Sequence, residues 1–164
     1  MNKRPVLSIP KTALEKVLDA ISILVIIATF CYLLYVWNDL PEQIPRHFDF
    51  AGRPDGWGTK RTIWIMPIVA SVVFVFIFTL CKFPHVFNYP VEITEENAPR
   101  LYLLSRKMLC TINFEIVLFL SMILWEIIRV GFGKESFGIW FLPTFFIIVF
   151  GTIGITIYRI VRLR

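Results

Sequence analysis

The chain has 164 residues, of which 57% are hydrophobic and 18% are charged, with a mean hydropathy of +0.69 and a net charge of +5. Soluble domains are usually about 45–50% apolar, so this composition excludes a compact water-soluble enzyme, a collagen-like or disordered chain, and a disulfide scaffold. The charges avoid four long stretches, which predicts an all-α, polytopic membrane protein: a four-transmembrane-helix bundle that forms a single membrane domain over residues 1–164.

The predicted spans lie at residues 20–38, 62–81, 108–125 and 136–158. Each is close to the roughly 20 residues that a helix needs to cross the hydrocarbon core. The first span is too long for the apolar region of a cleavable signal peptide, so we expect it to remain as an anchor. Its helix is predicted to start before the membrane, because Thr12 followed by Glu15 fits a capping box.

Lysine and arginine are divided unequally between the two sides of the predicted bundle. Four crossings place both termini on one side, and that side holds eleven of the 17 basic residues. Because basic residues favour the cytoplasm, we expect cytoplasmic N- and C-termini and an extracytoplasmic loop between helices 1 and 2. The net positive charge suits contact with anionic lipid of the bilayer. No basic stripe with interleaved aromatics indicates nucleic-acid binding.

The first loop, residues 38–60, is predicted to be ordered and to fold over the bundle. Its three prolines restrict the backbone, and Arg53 to Gly56 has the residue pattern of a turn. The loop contains many charged residues, and from Asp39 to Arg61 the acidic and basic side chains are equal in number, which suits a structured binding surface. The residues expected to form that surface are Pro41, Glu42, Pro45, His47, Phe48, Asp49, Gly52, Pro54, Asp55 and Lys60.

Two interpretations of the polar side chains in this loop are open. His47 and the acids of the loop offer nitrogen and oxygen ligands for a divalent metal, but their spacing matches no zinc signature. The alternative, which we favour, is that they pair with Arg46, Arg53 and Lys60 and fix the loop. We therefore predict neither a metal nor a cofactor.

The loop between spans two and three carries a second group of polar residues. These residues are His85, Asn88, Pro90, Thr94, Glu96, Asn97 and Arg106. A lone histidine at a membrane edge is more often structural than catalytic. Thr94 or Asn97 is predicted to cap a helix that runs unbroken from about Arg100 into span three. That helix would hold Arg100, Arg106 and Lys107 against anionic headgroups.

Glu115 is the one ionisable residue inside a predicted span, and Thr111 lies one turn before it. A carboxylate in the membrane is costly, so it should face the bundle interior. It either serves a proton or cation relay, or contacts a peptide, or makes a packing hydrogen bond to a neighbouring helix, which we favour. Span four repeats small and hydroxyl residues that predict a packing face within the bundle or a homo-oligomer: Thr144, Gly151, Thr152, Gly154 and Thr156.

The first loop also resembles a known family. Leu40-Pro41-Glu42, Ile44-Pro45, His47-Phe48, Gly52, Pro54-Asp55-Gly56 and Lys60, after a first transmembrane helix, resemble the bacterial membrane domain of unknown function 1648. That domain forms the N-terminal part of Sdp-type toxin-immunity proteins. A stretch from Asn88 to Arg106 is similar as well, so the resemblance covers roughly residues 15–125. It implies a protein of the bacterial cytoplasmic membrane and brings no catalytic mechanism. The immunity proteins have additional transmembrane helices beyond this domain, which the four predicted spans do not supply.

No nucleophile elbow, zinc-protease motif, phosphate-binding loop or dinucleotide fingerprint is present, so we expect no enzymatic activity. The favoured hypothesis is an integral membrane protein that binds a partner or peptide through its outer loop, as an immunity-like or regulatory accessory factor. The alternative is a small transporter or channel component that uses Glu115, as an oligomer. A membrane metalloenzyme is disfavoured because His47 and His85 fall on opposite faces.

Overall fold

The computed structural model describes residues 4–162, and this part of the chain forms four long helices and one β-hairpin. In chain order the elements are α1 (Ala13–Val36), β1 (Gln43–Phe48), β2 (Pro54–Thr59), α2 (Ile65–Leu80), α3 (Ala98–Gly131) and α4 (Phe141–Val161). A 3₁₀ segment (Lys60–Trp64) leads directly into α2, and another lies at Pro84–Val86. When the 3₁₀ segment Lys60–Trp64 is counted together with α2, all four helices are long and apolar enough to cross a membrane. The predicted fold class is confirmed, with a small two-stranded sheet added.

The helix starts follow local signals in two cases. The predicted capping box of α1 is present: the Thr12 N–H donates to Glu15 Oε2 at 2.6 Å, and the Glu15 N–H donates to Thr12 Oγ1 at 3.4 Å. Helix α3 is continuous from Ala98 through the predicted third span, as the sequence indicated. Ahead of it, the backbone N–H of Thr94 donates to the Asn97 side chain and the Asn97 N–H donates to the Thr94 hydroxyl. Asn97 holds the N-cap position, but its side chain makes no capping hydrogen bond to the first turn, because it is engaged by Thr94 and Glu92 instead.

Helix α4 begins later than predicted. Residues 136–140 lie outside the helix, and α4 starts at Phe141. The reason is that the hairpin holds this segment, because the Ser136 hydroxyl donates to the Gly52 carbonyl. In addition, Gly138 has a φ of 78°, which is incompatible with a right-handed helix.

The hairpin turn was predicted at the wrong place. The turn is formed by Asp49 to Gly52, where the Gly52 N–H donates to the Asp49 carbonyl and the Asp49 N–H donates to the Arg53 carbonyl. Gly52 has a φ of 77°, which a glycine adopts without steric cost. The stretch from Arg53 to Gly56 has turn-forming residues, but Pro54 instead starts β2, a strand position that tolerates the missing N–H.

Helix α3 is the central element of the bundle, because α1, α2, α4 and β1 all pack against it. One hydrophobic cluster joins the end of α1, the start of the hairpin and α3; it contains Leu33, Val36, Leu40, Ile44, Ile63, Leu124, Ile127 and Ile128. Ile44 of β1 is 1% exposed, so burial of apolar surface against α3 anchors the hairpin to the bundle. Asn113 of α3 adds a hydrogen bond from its side-chain amide to the Phe74 carbonyl of α2 at 3.2 Å.

Helix α4 packs more loosely than the others. Within the described residues it contacts α3 as its main partner, and Ile160 is its one buried side chain. At the predicted packing face of small residues, a Cβ added at Gly151 or Gly154 would meet no atom within 4 Å, whereas the Thr152 hydroxyl donates to Glu115 of α3.

Arg106 does not face lipid headgroups, and that prediction is wrong. Its side chain is buried between α3 and α1, where its Nε and Nη2 donate to the two carboxylate oxygens of Glu15 at 2.5 and 3.1 Å. The guanidinium also donates to the carbonyls of Ile9 and Pro10. These four acceptors match the planar donor geometry of arginine, which makes the interior the better environment. Arg100, one and a half turns earlier, is exposed.

Candidate ligand-binding cleft

A cleft of about 810 Å³ lies between the hairpin, α3 and the start of α4, and we call it the hairpin cleft. Its lining is His47, Phe48, Asp49, Phe50, Gly52, Asp55, Phe119, Ile123, Glu126, Ser136, Phe137, Gly138, Ile139, Phe141, Leu142, Pro143 and Phe146. The volume falls within the roughly 300–1,000 Å³ of pockets that hold small ligands. Five of the residues expected in the outer binding surface line it: His47, Phe48, Asp49, Gly52 and Asp55. Pro41, Glu42, Pro45, Pro54 and Lys60 do not.

The hairpin is held by side-chain pairs on its outer surface. Asp49 pairs with Arg53 at 2.9 Å, and His47 Nδ1 lies 2.5 Å from Asp55 Oδ1. At the base, the Lys60 ammonium lies 3.1 Å from Glu42 and donates to the carbonyls of Trp37 and Leu40, as its charge and reach allow. Arg53 and Lys60, two of the three basic residues expected to pair within the loop, thus do so, whereas His47 pairs with Asp55.

Metal-ligating side chains are not gathered here. Across residues 4–162 no group of three or more histidine, cysteine or acidic side chains is arranged to hold a metal ion. His47 and Asp55 form a pair at the rim, and Asp49 is engaged by Arg53 and by backbone N–H groups. The hairpin polar groups are therefore arranged to bind one another.

The tip of the hairpin is docked onto the segment that connects α3 to α4. A Cβ added at Gly52 would lie 2.9 Å from the backbone carbon and oxygen of Gly138, so the two chains approach as closely as glycine permits. The Ser136 hydroxyl donates to the Gly52 carbonyl at 2.5 Å. Beside this contact, Phe50 is 98% exposed although it is a large apolar residue. The tip therefore closes one side of the hairpin cleft and presents an uncovered aromatic ring at its edge.

The Asp49 carboxylate stabilises the turn, and this makes the turn sensitive to acid. Its pKa is held below the ordinary value, mainly by the backbone N–H of Arg53, with the Arg53 guanidinium and the Ala51 N–H adding to the effect. Because this pKa is lower in the folded state than in the unfolded state, the ionised carboxylate stabilises the turn at pH values above the unfolded-state pKa. The stabilisation is lost as the pH falls through the folded-state pKa.

We expect faster amide exchange in residues 49–53 at a pH below about 4 than the intrinsic pH dependence of exchange predicts. Asp49→Asn should remove most of that additional acid effect, because Asn keeps an acceptor but cannot be protonated in this range. The control is Asp39→Asn, at an exposed position before the hairpin. Hydrogen exchange measured by mass spectrometry on the purified protein checks both. Equal acid sensitivity of wild type and Asp49→Asn would contradict the assignment.

Glu126 at the floor of the hairpin cleft was missed by the sequence analysis. It comes one residue after the predicted third span, but α3 extends to Gly131 and carries it into the bundle, where it is 5% exposed. Its Oε1 accepts the backbone N–H of Phe137 at 2.6 Å. Its Oε2 is buried and has no hydrogen-bond partner among the described residues. One signal was available: Glu126 lies eleven residues, or three helical turns, after Glu115 and so on the same helix face.

Glu115 lines a second, smaller cavity of about 360 Å³ between α3 and α4, which we call the Glu115 pocket. Its Oε1 accepts a hydrogen bond from the Thr152 hydroxyl of α4 at 2.6 Å, so the expected packing bond to a neighbouring helix is present. Its Oε2 is buried without a partner in the described part of the chain. Thr111 does not reach it, because the Thr111 hydroxyl donates to the Lys107 carbonyl of the preceding turn.

The polar residues of the loop before α3 lie at the other end of the bundle. Pro90, Thr94 and Asn97 line a shallow depression of about 580 Å³, which His85, Asn88 and Glu96 do not line. The His85 carbonyl accepts a hydrogen bond from Arg4. Beside them, burial raises the pKa of the Tyr89 phenol to about 12. The two residue groups singled out from the sequence therefore belong to opposite ends of the molecule.

Two comparisons with known proteins bear on this arrangement. Residues 24–70 match the family model described as Domain of unknown function (DUF1648). An uncharacterized protein of Archaeoglobus fulgidus is 32% identical over 124 residues, which cover 70% of this chain and 66% of that protein. No solved structure matches the chain. The matched residues form the second half of α1, the hairpin and the start of α2. Residues 24–70 therefore carry a DUF1648 domain, and the hairpin that closes one side of the cleft lies within it.

Proposed function

We propose that this multi-pass membrane protein is a non-enzymatic binding protein that takes up a peptide segment in the hairpin cleft, as an immunity-like or regulatory accessory factor. The observation that carries the proposal is the hairpin cleft itself, an apolar cavity of about 810 Å³ closed on one side by the docked hairpin tip. Pockets of this kind, apolar with a few polar groups, are the usual form of ligand sites.

The exposed ring of Phe50 supports a macromolecular ligand over a small one. Aromatic residues that are uncovered beside a pocket are frequent anchors in protein interfaces. The Phe50 side chain is 98% exposed although β1 of the same hairpin packs on α3, so the protein keeps a large apolar side chain here without burying it internally. A peptide that fills the hairpin cleft would cover this ring as it enters.

The proposal includes an orientation in a bacterial cytoplasmic membrane. Both termini are on the cytoplasmic side and the hairpin is extracytoplasmic, so the ligand arrives from outside the cell. The excess of lysine and arginine on the side of the termini supports this. Labelling of Phe50→Cys in intact cells by a membrane-impermeant maleimide tests the orientation, and protection of that cysteine until lysis would reverse it.

The binding test uses photocrosslinking followed by titration. Benzoylphenylalanine is introduced at Phe50 in living cells, and at Tyr35 as a control, since Tyr35 is 82% exposed on α1 outside the hairpin cleft. We expect a peptide or protein adduct that is specific to position 50. A synthetic peptide of the captured segment should then bind the purified protein, and Phe50→Ala should weaken binding about tenfold, as loss of an interface anchor does. Tyr35→Ala should leave the affinity unchanged.

Two results would contradict the proposal. One is a set of adducts that is the same at positions 50 and 35, which indicates nonspecific neighbours in the membrane. The other is a captured segment that the purified protein binds equally well with and without the Phe50 ring. Thermal unfolding of both alanine variants shows whether they are folded.

A second candidate function, a small transporter or channel component, is favoured by one observation on Glu115. Its second carboxylate oxygen is buried without a partner and its side chain lines the Glu115 pocket. Intramembrane carboxylates often mark ion or proton pathways. Proton flux into liposomes that contain the protein separates the two functions: transport requires a flux that Glu115→Gln abolishes, whereas a binding protein gives none.

A further inference from the structure

We infer that the hairpin cleft selects a cationic ligand group: a peptide amine, from a lysine side chain or a free N-terminus, within an otherwise apolar segment, bound at the Glu126 carboxylate. This inference rests on the proposed function and names the chemistry of its ligand. Three features support it: the buried state of Glu126, the charges around the hairpin cleft and the aromatic walls of the cleft.

Glu126 is a buried acid whose hydrogen bonds are incomplete. It is 5% exposed, and only Oε1 has a partner, the Phe137 N–H, within residues 4–162. Burying a carboxylate without compensation is unfavourable, so natural proteins pair such groups or use them functionally. No described lysine, arginine or histidine lies within ion-pair distance of Glu126.

The nearest candidate counterion on the same helix is directed elsewhere. Arg129, three residues after Glu126, donates to the Glu135 carbonyl at 3.1 Å. Its guanidinium carbon lies 5.0 and 5.1 Å from the ring centres of Trp125 and Phe137, which is cation–π distance. The fold thus occupies Arg129 with other partners, and Oε2 of Glu126 has no partner among the described residues.

The charges of the hairpin cleft agree with a cationic ligand. The chain carries a net charge of +5, yet the lining contains no lysine or arginine and contains the three acids Asp49, Asp55 and Glu126. Asp49 and Asp55 sit at the rim with partners of their own, whereas Glu126 is at the floor. An anionic ligand would meet repulsion here, and a neutral one would leave the Glu126 oxygen unpaired.

The walls supply the apolar part of the recognition. Phe119 stacks on Phe145 with ring centres 3.7 Å apart and on Phe141 at 5.3 Å, and Phe137 lies 5.0 Å from Phe141. Three of these rings, at positions 119, 137 and 141, line the hairpin cleft next to Glu126. Aromatic faces attract both apolar side chains and ammonium groups. Because Oε2 is covered in the unliganded protein, a bound amine reaches it by displacing the side chains above it.

The test measures charge selectivity with three matched peptide mixtures. Each mixture contains acetylated and amidated hexapeptides of apolar residues with one fixed position, which is lysine, acetyl-lysine or norleucine. Their binding to the purified protein in nanodiscs is measured by competition with a fluorescent lysine peptide. We expect the lysine mixture to bind wild type at least tenfold more tightly than the other two. Acetyl-lysine keeps the length of the side chain and removes its charge, so this comparison needs no variant.

Glu126→Gln should abolish the lysine preference, because glutamine keeps an acceptor for the Phe137 N–H and removes the charge. The matched control is Glu115→Gln, which changes the other partly satisfied acid of α3 outside the hairpin cleft and should retain the preference. Equal binding of all three mixtures to wild type, weakened about tenfold by Phe50→Ala, overturns the cationic inference while the proposed peptide binding stands. No binding by any mixture overturns the inference, and the photocrosslinking experiment then judges the proposed function by itself. A lysine preference that persists in Glu126→Gln also overturns it.

Discussion

Replacing Arg106 with methionine is expected to lower the free energy of unfolding by about 3–5 kcal/mol, which is the usual cost of leaving a buried charge without its partner. Arg106 is 5% exposed and Glu15 is 0% exposed, so neither charge can turn to solvent when the other is removed. The variant also leaves the carbonyls of Ile9 and Pro10 without their donor. Denaturant unfolding in a fixed detergent, followed by tryptophan fluorescence, measures the change.

Two further variants make this prediction specific. Arg100→Met, at an exposed position of the same helix, controls for the loss of a positive charge and should change stability by less than about 0.5 kcal/mol. The double variant Arg106→Met with Glu15→Leu should recover a substantial part of the loss, since it removes the stranded charge and places apolar groups in its site. If Arg106→Met is no more destabilising than Arg100→Met, the buried ion pair does not hold α1 to α3.

Replacing Gly52 with alanine is expected to release the hairpin tip from the segment before α4, at a cost of about 1–3 kcal/mol. Two effects add at this position. Gly52 has a φ of 77°, which strains an L side chain, and its Cβ would lie 2.9 Å from the Gly138 backbone. Hydrogen exchange should increase in the turn and in residues 136–140 together, because Ser136 loses its acceptor geometry.

Gly133 provides the matched control for that experiment. It has nearly the same positive φ, 75°, but a Cβ there would meet no atom within 4 Å. Gly133→Ala therefore measures the backbone strain alone, and the difference between the two variants isolates the contact between Gly52 and Gly138. Equal destabilisation, with no added exchange in residues 136–140, would show that the tip is not docked in solution.

Features encoded in consecutive residues were predictable from the sequence. The four helices follow from long apolar stretches, and the start of α1 follows from Thr12 and Glu15, which are only three residues apart. The position of the hairpin turn was not predictable, because turn-forming residues occur both from Asp49 to Gly52 and from Arg53 to Gly56. The choice between them depends on the strand register that Ile44 adopts when it packs on α3.

The site was harder to predict because its walls come from three separated segments. Five hairpin residues of the site were predicted, but no role was predicted for Glu126, which lies just after the predicted third span, or for the aromatic residues of α3 and α4. Arg106 was misplaced for the same reason, since its partner Glu15 is 91 residues away and no local pattern indicates their contact. Depth and rotation of a helix are set by its neighbours, and a single sequence with uniform apolar spans does not reveal them.

The polar contacts of α3 fix the relative register of the whole bundle. Within a membrane, apolar surfaces give little preference for one helix rotation over another, because lipid tails contact them equally well. Arg106 pairs with α1, Asn113 with α2, Glu115 with α4, and Glu126 with the segment before α4. A rotation of α3 by one residue, about 100°, would break all four contacts together. The few polar groups inside this apolar chain therefore fix the rotation of α3 relative to its neighbours. The shape of the hairpin cleft depends on all four contacts being formed together.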